Sequence, residues 1–277
     1  MLGQVKFRAP DNDQTIHRLR ASYLGLIKEL DDNLGRLFNF LKKTNQWDDT
    51  LIILTSDHGE QMGEHWLINK LGFFDASYHI PLIIRDPSRA ADVTRGCHLT
   101  SFTENVDIMP TLLDRLGIDI PTQCDGLSLM SLVNGAPEPE QWRREVHFEY
   151  DFRDVLDSAK EQSLGLTAHQ CVLNVIRDHE YKYVHFTALP PLLYDLKKDP
   201  GEIKNVANDP IYRDVRLTYC ERLLSWRMNH DERGLTEIIL TPEGPKERKS
   251  ALTQAHEKLG TITTEAVFLA ESTNLVV

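Results

Sequence analysis

The sequence is poor in cysteine and contains no long hydrophobic run. Its 277 residues include 4 cysteines, which lie far apart and form no C-x-x-C pair, so the spacing of a structural zinc site is missing. Such thiols are expected to be reduced and largely buried, as in a cytosolic protein. No stretch approaches the roughly 20 apolar residues that cross a bilayer, and the first residues lack the apolar core of a signal peptide. We therefore expect a cytoplasmic protein that does not insert into a membrane.

Positive charge is also scarce. The chain has 31 Lys and Arg residues against 42 Asp and Glu residues, which gives a formal net charge of −11. Nucleic acids and anionic membrane surfaces would be repelled by this mean field, so neither is an expected partner. With 41% hydrophobic and 26% charged residues, the composition is that of a folded globular protein. An anionic substrate would need a local positive site.

Two apolar runs, at 51–55 and 81–85, enclose an unusual density of polar residues. The first run predicts a strand buried on both faces, as in a parallel sheet covered by helices. Because ligands bind beyond the carboxyl ends of such strands, Asp57 and His58 are candidate site residues, and Gly59 permits the turn that would bring them together. A carboxylate beside a neutral imidazole suits a divalent cation. The alternative is an N-cap aspartate followed by a solvated histidine.

Further polar residues lie between the two apolar runs. Lys70 could neutralise an anionic substrate as a compact point charge, or it could be an ordinary surface lysine. His65 could protonate a leaving group near neutral pH, although a structural or substrate-rim role is the favoured interpretation. The polar residues nearest the second run are interpreted as structural: Asp75, Tyr78 and His79.

The hydrophobic periodicity predicts elements of both types around this stretch. Apolar residues at three- and four-residue steps predict helices over 16–41, 106–116 and 210–229. Alternating and β-branched segments predict a hairpin over 171–186 and a further short strand at 192–196. The expected domains are an α/β domain at 1–150, a small subdomain at 151–232 and a C-terminal arm at 233–277.

The motifs of the central stretch resemble the sulfatase branch of the alkaline phosphatase superfamily, most closely the phosphonate monoester hydrolases. The matching residues are Ser56-Asp57-His58-Gly59-Glu60, Gly63-Glu64-His65, Lys70 and Tyr78-His79-Ile80-Pro81-Leu82-Ile83-Ile84. The resemblance implies part of an α/β fold, an alkaline-phosphatase-like layered sheet with helices on both faces. It also implies a small C-terminal α+β subdomain with antiparallel strands.

The same resemblance implies roles for individual residues. Asp57 and His58 would bind a divalent metal ion, which could be Mn, Ca, Zn or Mg, and Lys70 would contact sulfate or phosphate oxygens near the leaving group. The family's nucleophile comes from the cysteine of a Cys-x-Pro-Ser-Arg motif. Here Arg85 stands in the cysteine's place before Pro-Ser-Arg, and none of the 4 cysteines lies two residues before a proline, so the chain carries no nucleophile of this type.

The resemblance extends over about 18–241 but reaches only the second half of the family's architecture. The expected function is therefore metal-dependent hydrolysis of sulfate or phosphate/phosphonate esters, with a small anionic ester as substrate. The chain alone is expected to be a truncated product or gene fragment that is inactive. In the complete enzyme, the arm at 233–277 would help to hold a homo-oligomer. The alternatives are an arylsulfatase and, in a different class, a non-catalytic fragment that acts as an oligomerisation or interaction module.

Overall fold

The computed structural model describes residues 8–10, 12–121, 123–154, 159–230, 238–241 and 244–247. Its helices are α1 (Asp13–Lys43), α2 (Asp75–Tyr78), α3 (Ile108–Arg115), α4 (Met130–Val133), α5 (Ala159–Leu164) and α6 (Arg213–His230). Its strands are β1 (Ile52–Thr55), β2 (Gln61–Met62), β3 (Ile68–Asn69), β4 (Leu82–Arg85), β5 (Val146–Asp151), β6 (Val172–Arg177), β7 (Tyr181–Phe186), β8 (Leu192–Asp195), β9 (Ile238–Thr241) and β10 (Gly244–Glu247). Short 3-10 helices cover Trp47–Asp49, Glu64–Trp66, Arg89–Thr94, Asn105–Asp107, Ala168–Gln170 and Pro210–Tyr212. Within these ranges, no helix is both long enough and apolar enough to cross a membrane.

The chain divides into two compact units. The first contains residues 1–105 and 129–225, and the second contains residues 106–128 and 226–277. In the second unit, α3 has the predicted position and is followed by Gly117 at a φ of +67°, the left-handed geometry that suits a glycine after a helix. Strands β9 and β10 pair antiparallel in the same unit. The rest of the expected arm at 233–277 lies outside the described residues, and the three expected domains stay a prediction.

A four-stranded antiparallel sheet forms the main core of the first unit. Its strand order is β5-β6-β7-β8, so each strand pairs with its neighbour in sequence. The predicted hairpin is confirmed, with Val175 of β6 opposite Val184 of β7. Side chains on one face pack with three aromatic residues from elsewhere, because alternate residues of a strand point to the same side. The buried members of this cluster are Leu67, Phe73, Phe74, Phe152, Cys171, Leu173, Val175, Val184, Phe186 and Tyr194.

The central apolar run forms a strand, but its pairing differs from the expectation. Strand β1 pairs antiparallel with β4, and the two make a two-stranded sheet whose β1 residues are all half-buried. The prediction of a strand buried on both faces in a parallel sheet is therefore wrong for the described residues. A continuous apolar run shows that a strand is buried to some degree, but it carries no information about the direction of its neighbour. On β4, Leu82 and Ile84 pack on a second core around Trp142, while Ile83 faces outward.

The long N-terminal helix is confirmed, but it is packed less closely than expected. Helix α1 begins after Asn12, whose side-chain oxygen accepts a hydrogen bond from the Thr15 N–H at 2.7 Å, the usual arrangement of a helix N-cap. The apolar stripe predicted a helix packed along one side. No residue of α1 is fully buried, but part of the stripe, such as Phe38 beside the Trp47 ring, is half-buried, while the rest, such as Leu30, faces solvent. The stripe is therefore only partly covered on this chain.

The cysteine prediction is only partly right. All four cysteines are free thiols, but Cys171 alone is buried, Cys124 and Cys220 are half-buried, and Cys97 is exposed. Cys171 leads into β6 and belongs to the main core, whereas Cys97 follows Gly96 in a surface turn. Burial of a thiol depends on the element that carries it, which its spacing in the sequence does not show.

Candidate functional site

A sharp turn after β1 brings Asp57 and His58 together. The Oδ2 atom of Asp57 lies 3.4 Å from Nε2 of His58, and the His58 backbone N–H donates to Oδ1 of the same carboxylate at 3.0 Å. The Gly59 N–H donates to the Ser77 carbonyl oxygen at 2.8 Å, which holds the turn against α2. A Cβ at this position would lie 2.2 Å from the Ala76 carbonyl oxygen. Only a residue without a side chain fits this close approach to α2.

The orientation of the His58 ring fits a cation ligand. Its Nδ1 lies 2.8 Å from the Gly59 carbonyl oxygen, and because a carbonyl can only accept, the proton of the neutral ring belongs on Nδ1. The Nε2 lone pair then faces the Asp57 carboxylate. Two donors bound to one cation at about 2.1–2.4 Å lie roughly 3–3.5 Å apart, so the observed separation suits a shared metal ion. A backbone carbonyl that fixes the ring is a usual feature of metal-binding histidines.

The two residues differ in their access to solvent. The Asp57 side chain is 83% exposed and the His58 side chain 32% exposed, so an ion held between them would remain open to other ligands on one side. Among the residues that the structure describes, no cluster of three or more His, Cys, Asp or Glu side chains could hold a metal ion. Asp57 and His58 can thus supply two ligands, whereas a hard divalent cation takes about six.

The structure does not bring Lys70 into contact with this pair. Lys70 directly follows β3 and is exposed, and its backbone N–H donates to the Asn69 side chain at 2.7 Å. Its ammonium group makes no hydrogen bond or ion pair with any described residue, in contrast to the ammonium of Lys182 in the core. The predicted role of Lys70 therefore stays a prediction.

His65 packs against the core. Its ring stacks on Phe74 with the centroids 3.5 Å apart and the planes only 5° from parallel. Burial lowers the pKa of His65, and the positive charge of Lys182 lowers it further, so the ring is neutral at pH 7. The backbone of His65 has a φ of +53°, which is uncommon for a residue with a side chain. This geometry supports the structural interpretation over leaving-group protonation.

The Pro-Ser-Arg sequence after β4 belongs to a structural turn. Arg85, in the place of the family's cysteine, donates through Nη1 to the Thr50 carbonyl at 2.8 Å, and its guanidinium group lies 4.3 Å from the centre of the Trp47 ring. Asp86 is buried and accepts from the Ser88 N–H at 2.7 Å. The turn is thus held by its own hydrogen bonds, as expected for a loop that follows a strand.

A buried group of charges next to the candidate site was missed by the sequence analysis. The ammonium group of Lys182 is fully buried and contacts Asp75, Glu202 and the Phe73 carbonyl oxygen, the last at 3.1 Å. Arg177 adds a second cation, with Nη2 2.9 Å from Oδ2 of Asp75. Asp75, interpreted as a structural residue, is thus the first residue of α2 and the centre of an ion cluster.

The charges in this cluster shift the pKa values of its two carboxylates in opposite directions. Burial alone would raise the pKa of Asp75, but Lys182 and Arg177 hold it below its ordinary value. Burial raises the pKa of Glu202, and the charge of Asp75 adds to this effect although Lys182 opposes it. The signal for Lys182 was present in β7, because Lys182, Val184 and Phe186 alternate on the face that points into the core.

Comparisons with known proteins identify the family. The sulfatase family model matches residues 3–118, and the model described as "N-sulphoglucosamine sulphohydrolase, C-terminal" matches residues 63–229. The chain belongs to the sulfatase family, which places it by descent among the sulfuric and phosphoric ester hydrolases.

Two relatives and one solved structure show which members of the family this chain is similar to. The multifunctional alkaline phosphatase superfamily protein PehA of Trinickia caryophylli is 47% identical over 83% of this chain and 44% of its own length. The choline-sulfatase of Rhizobium meliloti (strain 1021) is 35% identical over 76% of this chain and 39% of its own length. The crystal structure of the phosphonate monoester hydrolase of Agrobacterium radiobacter has a TM-score of 0.76 at 50% identity, over 83% of this chain and 45% of that one. The chain spans less than half the length of these relatives. The structural match confirms the sulfatase-like α/β fold.

Proposed function

We propose that Asp57 and His58 are two ligands of a divalent metal ion in the hydrolysis of phosphonate or phosphate monoesters and diesters, or of sulfate esters. The observation that carries this proposal is the convergence of one carboxylate oxygen and Nε2 of the ring at 3.4 Å, with the ring held by the Gly59 carbonyl. When bound, the metal would supply Lewis-acid stabilisation of an ester oxygen. The name of the structural relative at 50% identity, a phosphonate monoester hydrolase, favours a phosphonate ester over an aryl sulfate as the substrate.

Lys70 would stabilise the negative charge of the substrate. Lys70 would place its ammonium near the oxygens that gain negative charge in the transition state, because the exposed side chain is free to turn toward an arriving anion. The formal net charge of −11 makes such a local cation necessary for a small anionic ester. The other expectations remain parts of the proposal: a cytoplasmic enzyme, a homo-oligomer in its complete form, and no nucleic acid or membrane partner.

Metal binding is the first test. Isothermal titration of the 277-residue chain with Mn²⁺ is expected to show one weak, saturable site, since two ligands leave most of the coordination sphere to water. Asp57→Asn and His58→Ala should each weaken this binding at least 10-fold, whereas Asp119→Asn, a change at another exposed aspartate, should leave it unaltered. Equal affinities for all four proteins would remove the metal site from this turn.

Activity is the second test, and it separates the alternatives. We further propose that these 277 residues alone do not hydrolyse esters, because the sequence has no cysteine two residues before a proline to act as the family's nucleophile. The assay uses an aryl phosphonate and an aryl sulfate as paired substrates with Mn²⁺ present. Turnover that Asp57→Asn and Lys70→Met both abolish would refute the inactivity and support the site. A preference for the sulfate in that case would identify an arylsulfatase.

A further inference from the structure

The side chain of Asn105 bridges two residues of the turn that carries the candidate metal ligands. Its Nδ2 atom donates to the Ser56 carbonyl oxygen at 2.9 Å, and its Oδ1 atom accepts from the Thr55 hydroxyl at 3.1 Å. Both partners directly precede Asp57 and His58 in the chain, whereas Asn105 follows Ser56 by 49 residues. A distant part of the sequence therefore holds the start of this turn.

The chemistry of the two partners fixes the orientation of the Asn105 amide. A backbone carbonyl can only accept, so the amide atom next to the Ser56 oxygen has to be the nitrogen. The amide oxygen then faces Thr55, whose hydroxyl lies 3.1 Å from it and 3.4 Å from the Ser56 carbonyl oxygen. Asn105 is thus a donor to one residue of the turn and an acceptor from its neighbour, and a side chain with only one of these functions cannot replace both hydrogen bonds.

Ser56 connects Asn105 to the two candidate ligands. The Ser56 hydroxyl donates to the His58 carbonyl oxygen at 2.6 Å, and the His58 backbone N–H donates to Oδ1 of Asp57 at 3.0 Å. Asp57 is also covalently attached to Ser56. A shift of Ser56 would therefore move both the carboxylate and the imidazole ring.

The segment that ends at Asn105 is itself held in place. The Phe102 carbonyl oxygen accepts a hydrogen bond from Nε1 of Trp142 at 2.9 Å, and Oε1 of Glu104 accepts from the His147 N–H at 2.8 Å. His147 belongs to β5, a strand at the edge of the four-stranded sheet. A side chain on an ordered backbone loses less freedom when it forms its hydrogen bonds. Asn105 is therefore well placed to restrain the turn.

We propose that Asn105 is a positioning residue for the divalent metal site of Asp57 and His58, and that it acts by holding the two residues before them. The inference rests on the proposed function, because it assigns Asn105 a part in that same site. Residues that support metal ligands from outside commonly set the orientation of those ligands. The turn is then held on two sides, by Asn105 before the ligands and by the Gly59 N–H on α2 after them.

The first measurement reads the His58 ring without metal. In EDTA at about pH 8, where imidazole rings are normally neutral, long-range ¹H–¹⁵N NMR of the wild type should show the ring proton on Nδ1, next to the Gly59 carbonyl oxygen at 2.8 Å. Asn105→Ala should give a mixture of the two tautomers, because the ring loses its fixed position against that carbonyl. Asn39→Ala, at an exposed asparagine of α1, is the matched control and should keep the wild-type spectrum.

The melting temperature of Asn105→Ala should stay close to that of the wild type. Asn105 is exposed, and substitutions of exposed residues usually change stability little. A changed ring tautomer at an unchanged melting temperature is the signature of a positioning role, since a merely structural role would lower the melting temperature and leave the tautomer of the folded chain as it is.

Metal affinity is measured on the same proteins. Titration with Mn²⁺ should show binding about 10-fold weaker for Asn105→Ala, at the lower end of the range for outer partners of metal ligands, and unaltered binding for Asn39→Ala. Thr55→Val removes only the hydroxyl partner and should weaken binding less. In the Asn105→Ala background it should have little further effect, because its hydrogen-bond partner is already gone. Thr55→Val also keeps the test available if Asn105→Ala does not fold.

The two measurements separate this inference from the proposed function. A wild-type chain that binds no Mn²⁺ would refute the metal site, and the tautomer of His58 in EDTA would then test by itself whether Asn105 holds the turn. An unchanged His58 tautomer in Asn105→Ala, an Mn²⁺ affinity equal to that of a metal-binding wild type, or an equal effect of Asn39→Ala would overturn the role of Asn105.

Discussion

Replacing Lys182 by methionine tests the physical reasoning about the buried ion cluster most directly. The ammonium group is fully buried and is shared between Asp75 and Glu202, with the Phe73 carbonyl oxygen at 3.1 Å as a third partner. Methionine has nearly the same length and shape, so the substitution removes the charge and its hydrogen bonds while keeping most of the packing. It leaves the buried carboxylate of Glu202 and the half-buried carboxylate of Asp75 close together, with Arg177 beside Asp75.

The expected cost is large. Removing one partner of a buried ion pair costs about 3–5 kcal/mol, because the remaining charge is left desolvated and uncompensated. In a chain of this size, 1 kcal/mol corresponds to roughly 2–4 °C in melting temperature, so Lys182→Met should lower the melting temperature by about 10 °C. Thermal unfolding followed by circular dichroism at pH 7 measures this shift. The matched control is Lys197→Met, because the Lys197 ammonium forms a surface pair with Glu180 at a side-chain exposure of 64%, and such exposed pairs contribute little to stability.

The pH dependence gives an independent check with a defined sign. The pKa of Asp75 is held below its ordinary value of 3.8, so its contribution to stability is present above that value and is lost as the pH falls through the folded-state pKa. Without Lys182, the buried Glu202 and the half-buried Asp75 both gain from protonation. The stability gap between the wild type and Lys182→Met should therefore narrow between pH 7 and pH 4. A cost below 1 kcal/mol at pH 7, or a gap that widens in acid, would refute the reasoning.

Three smaller perturbations test local features. Gly59→Ala should destabilise the chain by about 1–3 kcal/mol in a thermal melt, because the new Cβ would lie 2.2 Å from the Ala76 carbonyl oxygen, and wild-type stability would contradict the close approach. The pKa of His65 is lowered from 6.5, so the contribution of its neutral ring to stability is present above that value and is lost in more acidic solution. His65→Asn should therefore flatten the decline in melting temperature from pH 7 to pH 5. An unchanged slope would count against the stacked neutral ring. Asp209→Ala should cost about 1 kcal/mol in urea unfolding, because Asp209 caps a helical turn by accepting from the Ile211 N–H at 3.0 Å, whereas no loss would show that water replaces the cap.

Local patterns in the sequence predicted the elements of this fold well. The hairpin of β6 and β7 follows from two alternating apolar segments around a polar turn, and α1 follows from an apolar stripe over many turns. The meeting of Asp57 and His58 also follows from local information, because the turn at Gly59 needs only a residue without a side chain. Features that depend on neighbours in sequence are accessible to this kind of reasoning.

Features that depend on distant residues were not accessible. The antiparallel pairing of β1 with β4 is set by the path of the chain between them, which an apolar run does not encode. One partner of Lys182, Asp75, precedes it by 107 residues, and the other, Glu202, lies in a turn that follows it in the chain. A lysine is normally read as a surface residue, so only its alternation with Val184 could have indicated burial.

The ion cluster and the candidate metal ligands are connected through α2. Lys182 holds Asp75 at the start of this helix, and Ser77 two residues later accepts the Gly59 N–H at 2.8 Å. The Gly59 carbonyl in turn fixes the ring of His58 at 2.8 Å. Each contact depends on the position set by the previous one, so a shift of α2 would turn the His58 ring away from the Asp57 carboxylate. Lys182→Met should therefore weaken Mn²⁺ binding even at temperatures where the chain is folded, while the control Lys197→Met should leave Mn²⁺ binding and stability unchanged. Unaltered metal affinity in a folded Lys182→Met chain would show that the turn after β1 holds its shape without support from the sheet that contains β7.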